Sequence, residues 1–142
     1  MSIKYFSLQE ANALIPEMDR QLQAIQALKK QFDMKYSELR RSKELHAGIQ
    51  GSNGEDLFFV QEAELEFIQI EARSLIQSFQ LQGVELKDID TGLIDFPAMI
   101  DGEEVLLCWK QGEDAIRYYH GVHDGFAGRK PITDQGTSDD HE

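Results

Sequence analysis

The stretch His120 to Ile132, HGVHDGFAGRKPI, concentrates the residues of this chain best suited to chemistry. His120, His123 and Asp124 offer imidazole nitrogens and a carboxylate, the donors that divalent transition metals take. If the chain folds back after a strand, the three converge, and Glu113 or Asp95 can complete the set. Their spacing matches no zinc signature of the HExxH kind, so a divalent metal at His120, His123 and Asp124 rests on residue type alone, and no cofactor is the expectation. The plainer reading makes His120 a strand-end histidine bonded to a nearby carboxylate or carbonyl, and His123 a solvated turn residue.

Two other groupings bear on function. The amides of Gly125 to Gly128, with Arg129 and Lys130, are able to form an anion-binding nest, because glycine backbones turn their N–H groups inward. GFAGRKP lacks the strand-to-helix context and the GK[ST] ending of a phosphate loop, which favours a corner in which Arg129 clamps a carboxylate, Asp95 or Glu113 first, while Phe126 buries its ring. The second grouping is a cross-strand row of Asp95, Cys108 and Arg117. Its default is a salt bridge passing over a small cysteine; its sharper form is a thiolate promoted by Arg117, which Asp95 opposes.

The elements that hold these residues are legible from pattern. Ser7 and Glu10 make a capping box ahead of a helix starting near Leu8. Pro16 predicts a bend that ends a short first helix and opens a longer one running towards Leu45. Met18, Leu22, Ile25, Phe32, Tyr36 and Leu39 form a heptad seam on it. Three glycines in 47–56 predict a loop, after which Phe58, Leu65, Ala72 and Phe79, with Ile68 and Leu75, predict an antiparallel partner helix. Beyond Gly83 the period changes, and VELKDID, LIDFPAMI, EVLLCWK and AIRYYHG read as strands.

Asp101-Gly102 is a two-residue hairpin signal that sets Asp95 opposite Cys108, Phe96 opposite Leu107 and Ile94 opposite Trp109. Treating QGED as the next tight turn sets Arg117 opposite Cys108, Tyr118 opposite Leu107 and His120 opposite Val105. On that register Ile94, Phe96, Ala98, Val105, Leu107, Trp109, Ile116, Tyr118 and His120 face the helices. Asp95, Pro97, Met99, Leu106, Cys108, Lys110, Arg117 and Tyr119 face away, with no histidine among them. Pro97 cannot donate to a ladder and predicts an edge or a bulge.

The expected fold is therefore α+β: an antiparallel long-helix hairpin with a short N-terminal helix, packed on an antiparallel sheet of three to four strands. One domain spans 1–132, made of a helical hairpin at 7–82, a sheet at 84–121 and a Gly-rich corner at 121–132. The ten residues 133–142 carry acids without a base and read as a disordered tail.

Composition narrows the function. A net charge of −12 repels phosphate backbones, and no basic stripe compensates, so nucleic acid is not an expected partner. No apolar run is long enough for a membrane span, nor is there a signal peptide, and the compartment expected is the cytoplasm. A single cysteine excludes an internal disulfide and any CxxC zinc knuckle.

FSLQEANALIPEM near the start and GLIDFPAMIDGEEVLLCWKQGEDAIRYYHGVHDGFAGRKPI near the end resemble a bacterial family known as domain of unknown function 2203. The resemblance covers about residues 3 to 132 and is carried by Asp95-Phe96-Pro97, Cys108-Trp109, Gly112-Glu113, His120 and Gly125 to Arg129. It implies no particular activity. His120 falls at a matching position in the family pattern, whereas His123 departs from it.

The leading expectation is a non-enzymatic module that binds a protein partner or itself. A homodimer is expected through the apolar strip Met99, Leu106, Cys108 and Tyr119. The alternative is a small-molecule or metal-dependent enzyme with its site at the sheet edge around His120, Glu113, Asp95 and Arg129.

Overall fold

The computed structural model describes residues 3–47 and 58–132. Apart from Ala47, the loop expected at 47–56 lies outside them, as does the tail expected at 133–142. Helix α1 runs from Leu8 to Leu45. Its capping box forms as read: Glu10 N donates to Ser7 Oγ at 3.1 Å, and Ser7 N donates to Glu10 Oε1 at 2.9 Å. The expected break at Pro16 does not occur, and the helix is continuous through it. Pro16 lies on the exposed side, where the Asn12 carbonyl that loses its donor can turn to water. Ala11, Met18, Leu22 and Ile25, buried on the other side, hold both halves to one core and outweigh the missing bond.

Helix α2 spans Phe59–Leu81. Lys43 pairs with Glu62 at 2.7 Å at one end of the hairpin, and Gln82 donates to Gln21 at 2.8 Å at the other, which makes the helices antiparallel. Leu65, Ile68 and Phe79 are buried in the seam, while Phe58, Ala72 and Leu75 are half-buried. In α1 Phe32 is half-buried and Tyr36 46% exposed, whereas Leu39, farther along the seam, is buried at 5%.

The sheet has five strands in the order β1 to β5, every neighbouring pair antiparallel: β1 Glu85–Asp88, β2 Leu93–Ile100, β3 Glu103–Lys110, β4 Tyr118–Gly121 and β5 Lys130–Pro131. The fifth is a two-residue strand against β4, too short to leave a pattern in sequence. Asp101 and Gly102 take φ of 51° and 80°, as a primed hairpin turn demands, and the β2–β3 register follows as expected.

Pro97 lies in an interior strand, yet β1 covers only Leu93 to Asp95 of β2. Phe6 N donates to Pro97 O at 2.8 Å, so the side of β2 to which the proline nitrogen points carries no strand there. Ile94, Phe96, Ala98, Val105, Leu107, Trp109 and Ile116 pack with Phe6, Met18, Leu22, Ile25 and Phe79 into the core. One sheet face is thus committed to the helices.

Candidate metal centre

The β3–β4 register departs from expectation by one residue. Cys108 faces Tyr118, Leu107 faces Tyr119, Leu106 faces His120 and Val105 faces Gly121. A one-residue slip turns every side chain of a strand to the other face. Tyr119, expected outside, packs against the core, while Tyr118 and His120, expected inside, turn outward. Arg117 leaves the row altogether and pairs with Asp114 at 3.0 Å on the surface.

The cause is the connection between the strands, which is not a tight QGED turn. Glu113 N donates to Lys110 O at 3.0 Å, Lys110 N to Glu113 Oε1 at 2.8 Å, and Trp109 Nε1 to Glu113 O at 2.9 Å. Ile116 N then donates to Asn12 Oδ1 of α1 at 2.8 Å. These bonds hold a wider loop with an odd number of residues, and the parity of β4 inverts.

That inversion assembles a site. Asp95 of β2, Cys108 of β3 and His120 of β4 come together on the outer face, with one ligand atom from each lying within 4.8 Å of the others. All three are buried, at 1%, 1% and 3% exposure. His120 Nε2 lies 3.0 Å from Asp95 Oδ2, and His120 Nδ1 lies 2.9 Å from Gly121 O. A carbonyl only accepts, so Nδ1 carries a proton and donates it to Gly121. Nε2 and Oδ2 then hold one further proton between them, as imidazolium with carboxylate or as imidazole with carboxyl. Either way the pair is neutral as a whole, which is what burial requires.

Asp95 Oδ1, equally buried, has no hydrogen-bond partner among the described residues. Burial pushes the Asp95 carboxyl above the usual range, against the pull of His120, the Cys108 thiol and Lys87. Cys108 is pushed up to about 12, by burial first and by the Asp95 charge second, and stays a neutral thiol. Arg117, paired with Asp114, is no longer the neighbour of Cys108, so the expected row of Asp95, Cys108 and Arg117 does not form. Over the three side chains opens a cavity of about 160 Å³, rimmed by Lys87, Asp124, Gly125 and Phe126.

Asp124 reaches that rim because two neighbours lack side chains. A Cβ on Gly121 would meet Asp124 Oδ2 at 2.8 Å, and one on Gly128 would meet Asp124 Cβ at 2.9 Å. Gly121 N donates to Asp124 Oδ2 at 3.3 Å. His123 is exposed on the same turn and is not part of the ligand cluster. Arg129 is placed as a clamp: its Nη2 bonds both Glu113 oxygens at 2.9 and 2.8 Å, and its guanidinium lies 4.2 Å from the centre of the Tyr118 ring and 4.6 Å from that of Phe126. Phe126 is 43% exposed, because it lies over the guanidinium and does not enter the core. Glu113 and Arg129 therefore form the expected corner beside the cluster, with Glu113 as the clamped carboxylate, and the alternative of an anion nest at Arg129 meets a guanidinium already bonded to Glu113.

The family model described as uncharacterized conserved protein (DUF2203) matches residues 4–132. The chain belongs to this family. The match takes in every strand of the sheet and the whole Asp95–Cys108–His120 cluster, so the outer face is part of the DUF2203 domain itself. No curated protein and no solved structure matches the chain. Among the described residues no helix of this DUF2203 member is long and apolar enough to cross a membrane.

The residue types of the cluster were all visible in sequence; their common face was not. The signal that finds it is the parity of the β3–β4 connection, which depends on Asn12, about a hundred residues away in the chain.

Proposed function

We propose that the protein binds one divalent transition metal, zinc by preference, through Asp95 Oδ, Cys108 Sγ and His120 Nε2, in a bacterial cytoplasm where the single cysteine stays reduced. The observation that carries this reading is the buried Asp95 Oδ1, unpartnered beside a thiol and an imidazole. Such an atom costs stability unless something positive meets it. The His120 Nδ1 bond to the Gly121 carbonyl is the outer-shell contact that fixes a metal-binding imidazole in the right tautomer. The 3.0 Å between Nε2 and Oδ2 is close to the roughly 3.3 Å that two donors span around a tetrahedral zinc.

Three protein donors beneath a cavity leave a fourth position open, which is the pattern of catalytic rather than closed structural zinc. Zinc supplies Lewis acidity there when bound. The protein's own contribution is to keep the donors dry and to offer the Asp124 carboxylate at the rim as a proton acceptor, while the Lys87 ammonium that lines the cavity is held by Glu85 at 2.8 Å. A cavity of about 160 Å³ suits a substrate of a few heavy atoms, below the roughly 300 Å³ where drug-sized sites begin.

The test is the metal content of untagged protein, followed by titration of metal-free protein with zinc and with cobalt as a spectroscopic stand-in. One ion per chain, with a thiolate-to-cobalt charge-transfer band that vanishes in Cys108→Ser, supports the site. Protein that emerges metal-free and takes up no zinc at micromolar concentration refutes it.

The interaction-module reading needs another surface. Leu106 and Cys108, counted on for an exposed strip, are 4% and 1% exposed within a single chain, and Tyr119 faces the core.

A further inference from the structure

Helix α2 carries two apolar seams on opposite sides. Leu65, Ile68 and Phe79 mark the buried one. On the far side Val60, Phe67, Ile70 and Leu81 fall in the a and d positions of a second heptad, at 65%, 71%, 52% and 82% exposure. Apolar side chains of this size at coiled-coil spacing mark a contact surface when they stand together in water.

We propose that this face binds a second copy of the chain, α2 against the partner's α2, antiparallel about a two-fold axis. Three features specify that occupant. A two-fold axis passing between Ile68 and Gln69 sets Phe67 against the partner's Ile70, and Ile70 against the partner's Phe67, so the bulkiest residues meet at the centre. The same operation sets Ala63 against the partner's Ser74, small against small, in the layers on either side.

Charge supplies the third feature. Glu66 and Arg73 flank the seam on one edge, seven residues apart, and the axis brings each Glu66 to the partner's Arg73 and each Arg73 to the partner's Glu66. Arg73 makes no ion pair or hydrogen bond among the described residues, and a two-fold mate gives it one. On the other edge Glu64 and Glu71 approach their counterparts, but Lys35 draws Glu64 towards α1 at 3.7 Å. A parallel pairing would bring Glu66 to the partner's Glu71, a like charge, and lose the match, so the charges select the antiparallel arrangement.

Sedimentation equilibrium of the full chain tests this from low micromolar to near-millimolar concentration, with circular dichroism confirming the fold of each variant. The parent is expected to dimerise, and Phe67→Glu to be folded and monomeric. Glu66→Arg alone and Arg73→Glu alone should each weaken the dimer about tenfold or more, and the double variant should recover parental affinity, because the exchange restores complementarity. A parent that stays monomeric overturns the proposal, as does a dimer that survives Phe67→Glu. A double variant no better than the singles overturns the antiparallel pairing. Zinc uptake by monomeric Phe67→Glu stays at the parental level, which separates this outcome from the fate of the metal site.

Discussion

His120 on β4 reaches Asp95 on β2 over the full width of β3, with Nε2 and Oδ2 3.0 Å apart. Two strand spacings, about 9.6 Å of backbone, are bridged because β3 carries only a thiol at Cys108, where a larger side chain would block the contact. The cysteine is thus the gap through which the pair meets as well as its third donor.

Removing one member of that pair leaves the other charged or unpaired in a dry place. His120→Ala should destabilise the metal-free protein by about 3 to 5 kcal/mol, and Asp95→Ala/His120→Ala by less than the sum of the two single changes. Chemical denaturation of the four proteins closes the cycle. Strict additivity would show that the two side chains do not act on each other.

Metal uptake should release protons. At neutral pH Cys108 is a thiol, with its pKa at about 12, so zinc displaces that proton. Affinity should then climb by about tenfold or more per pH unit between pH 6 and 8. Calorimetry in buffers of different ionisation enthalpy counts the protons, and a value near zero would place the metal elsewhere.

The sign of the pH dependence should invert with metal. Burial raises the Asp95 carboxyl above its ordinary 3.8, so the folded metal-free state binds that proton more tightly than the unfolded chain does. Its contribution is fully present below 3.8 and is lost as pH rises through the raised value. With zinc bound, stability rises with pH instead. The comparison is parent against Asp95→Asn, each with zinc and with chelator.

Arg129→Ala should cost about 2 to 4 kcal/mol, since Glu113 is left half-buried without its cation and two rings lose the guanidinium between them. Urea denaturation measures it. A change under about 0.5 kcal/mol would mean the clamp is solvated.

Asn12→Ala should cost about 1 to 3 kcal/mol by stranding the Ile116 N–H inside the fold. It should also weaken zinc binding more than its distance from the site suggests, because Asn12 helps set which way His120 points. Unchanged zinc affinity would show that the other loop bonds hold the register alone.

What the sequence conceals here follows from those same bonds. The β2–β3 hairpin was legible because Asp101 and Gly102 form the turn by themselves, through backbone angles that their own residue types favour. The next connection is held by Trp109, Glu113 and Asn12, and no local pattern announces a contact between Asn12 and Ile116. A single residue of error there left Ile116 in the core but moved His120 across the sheet. The helices were readable from their seams and cap, while Pro16 misled because its effect depends on which side of the helix faces solvent.

The alternation of β2 has an evolutionary reading. Ile94, Phe96 and Ala98 answer to the helices, while Asp95 between them answers to the opposite face. Selection on one set therefore leaves the other untouched, although the codons interleave. Relatives are free to remodel the helical hairpin, even to exchange whatever docks on it, while inheriting the same pocket, and a lineage that abandons the pocket keeps a sheet still able to fold.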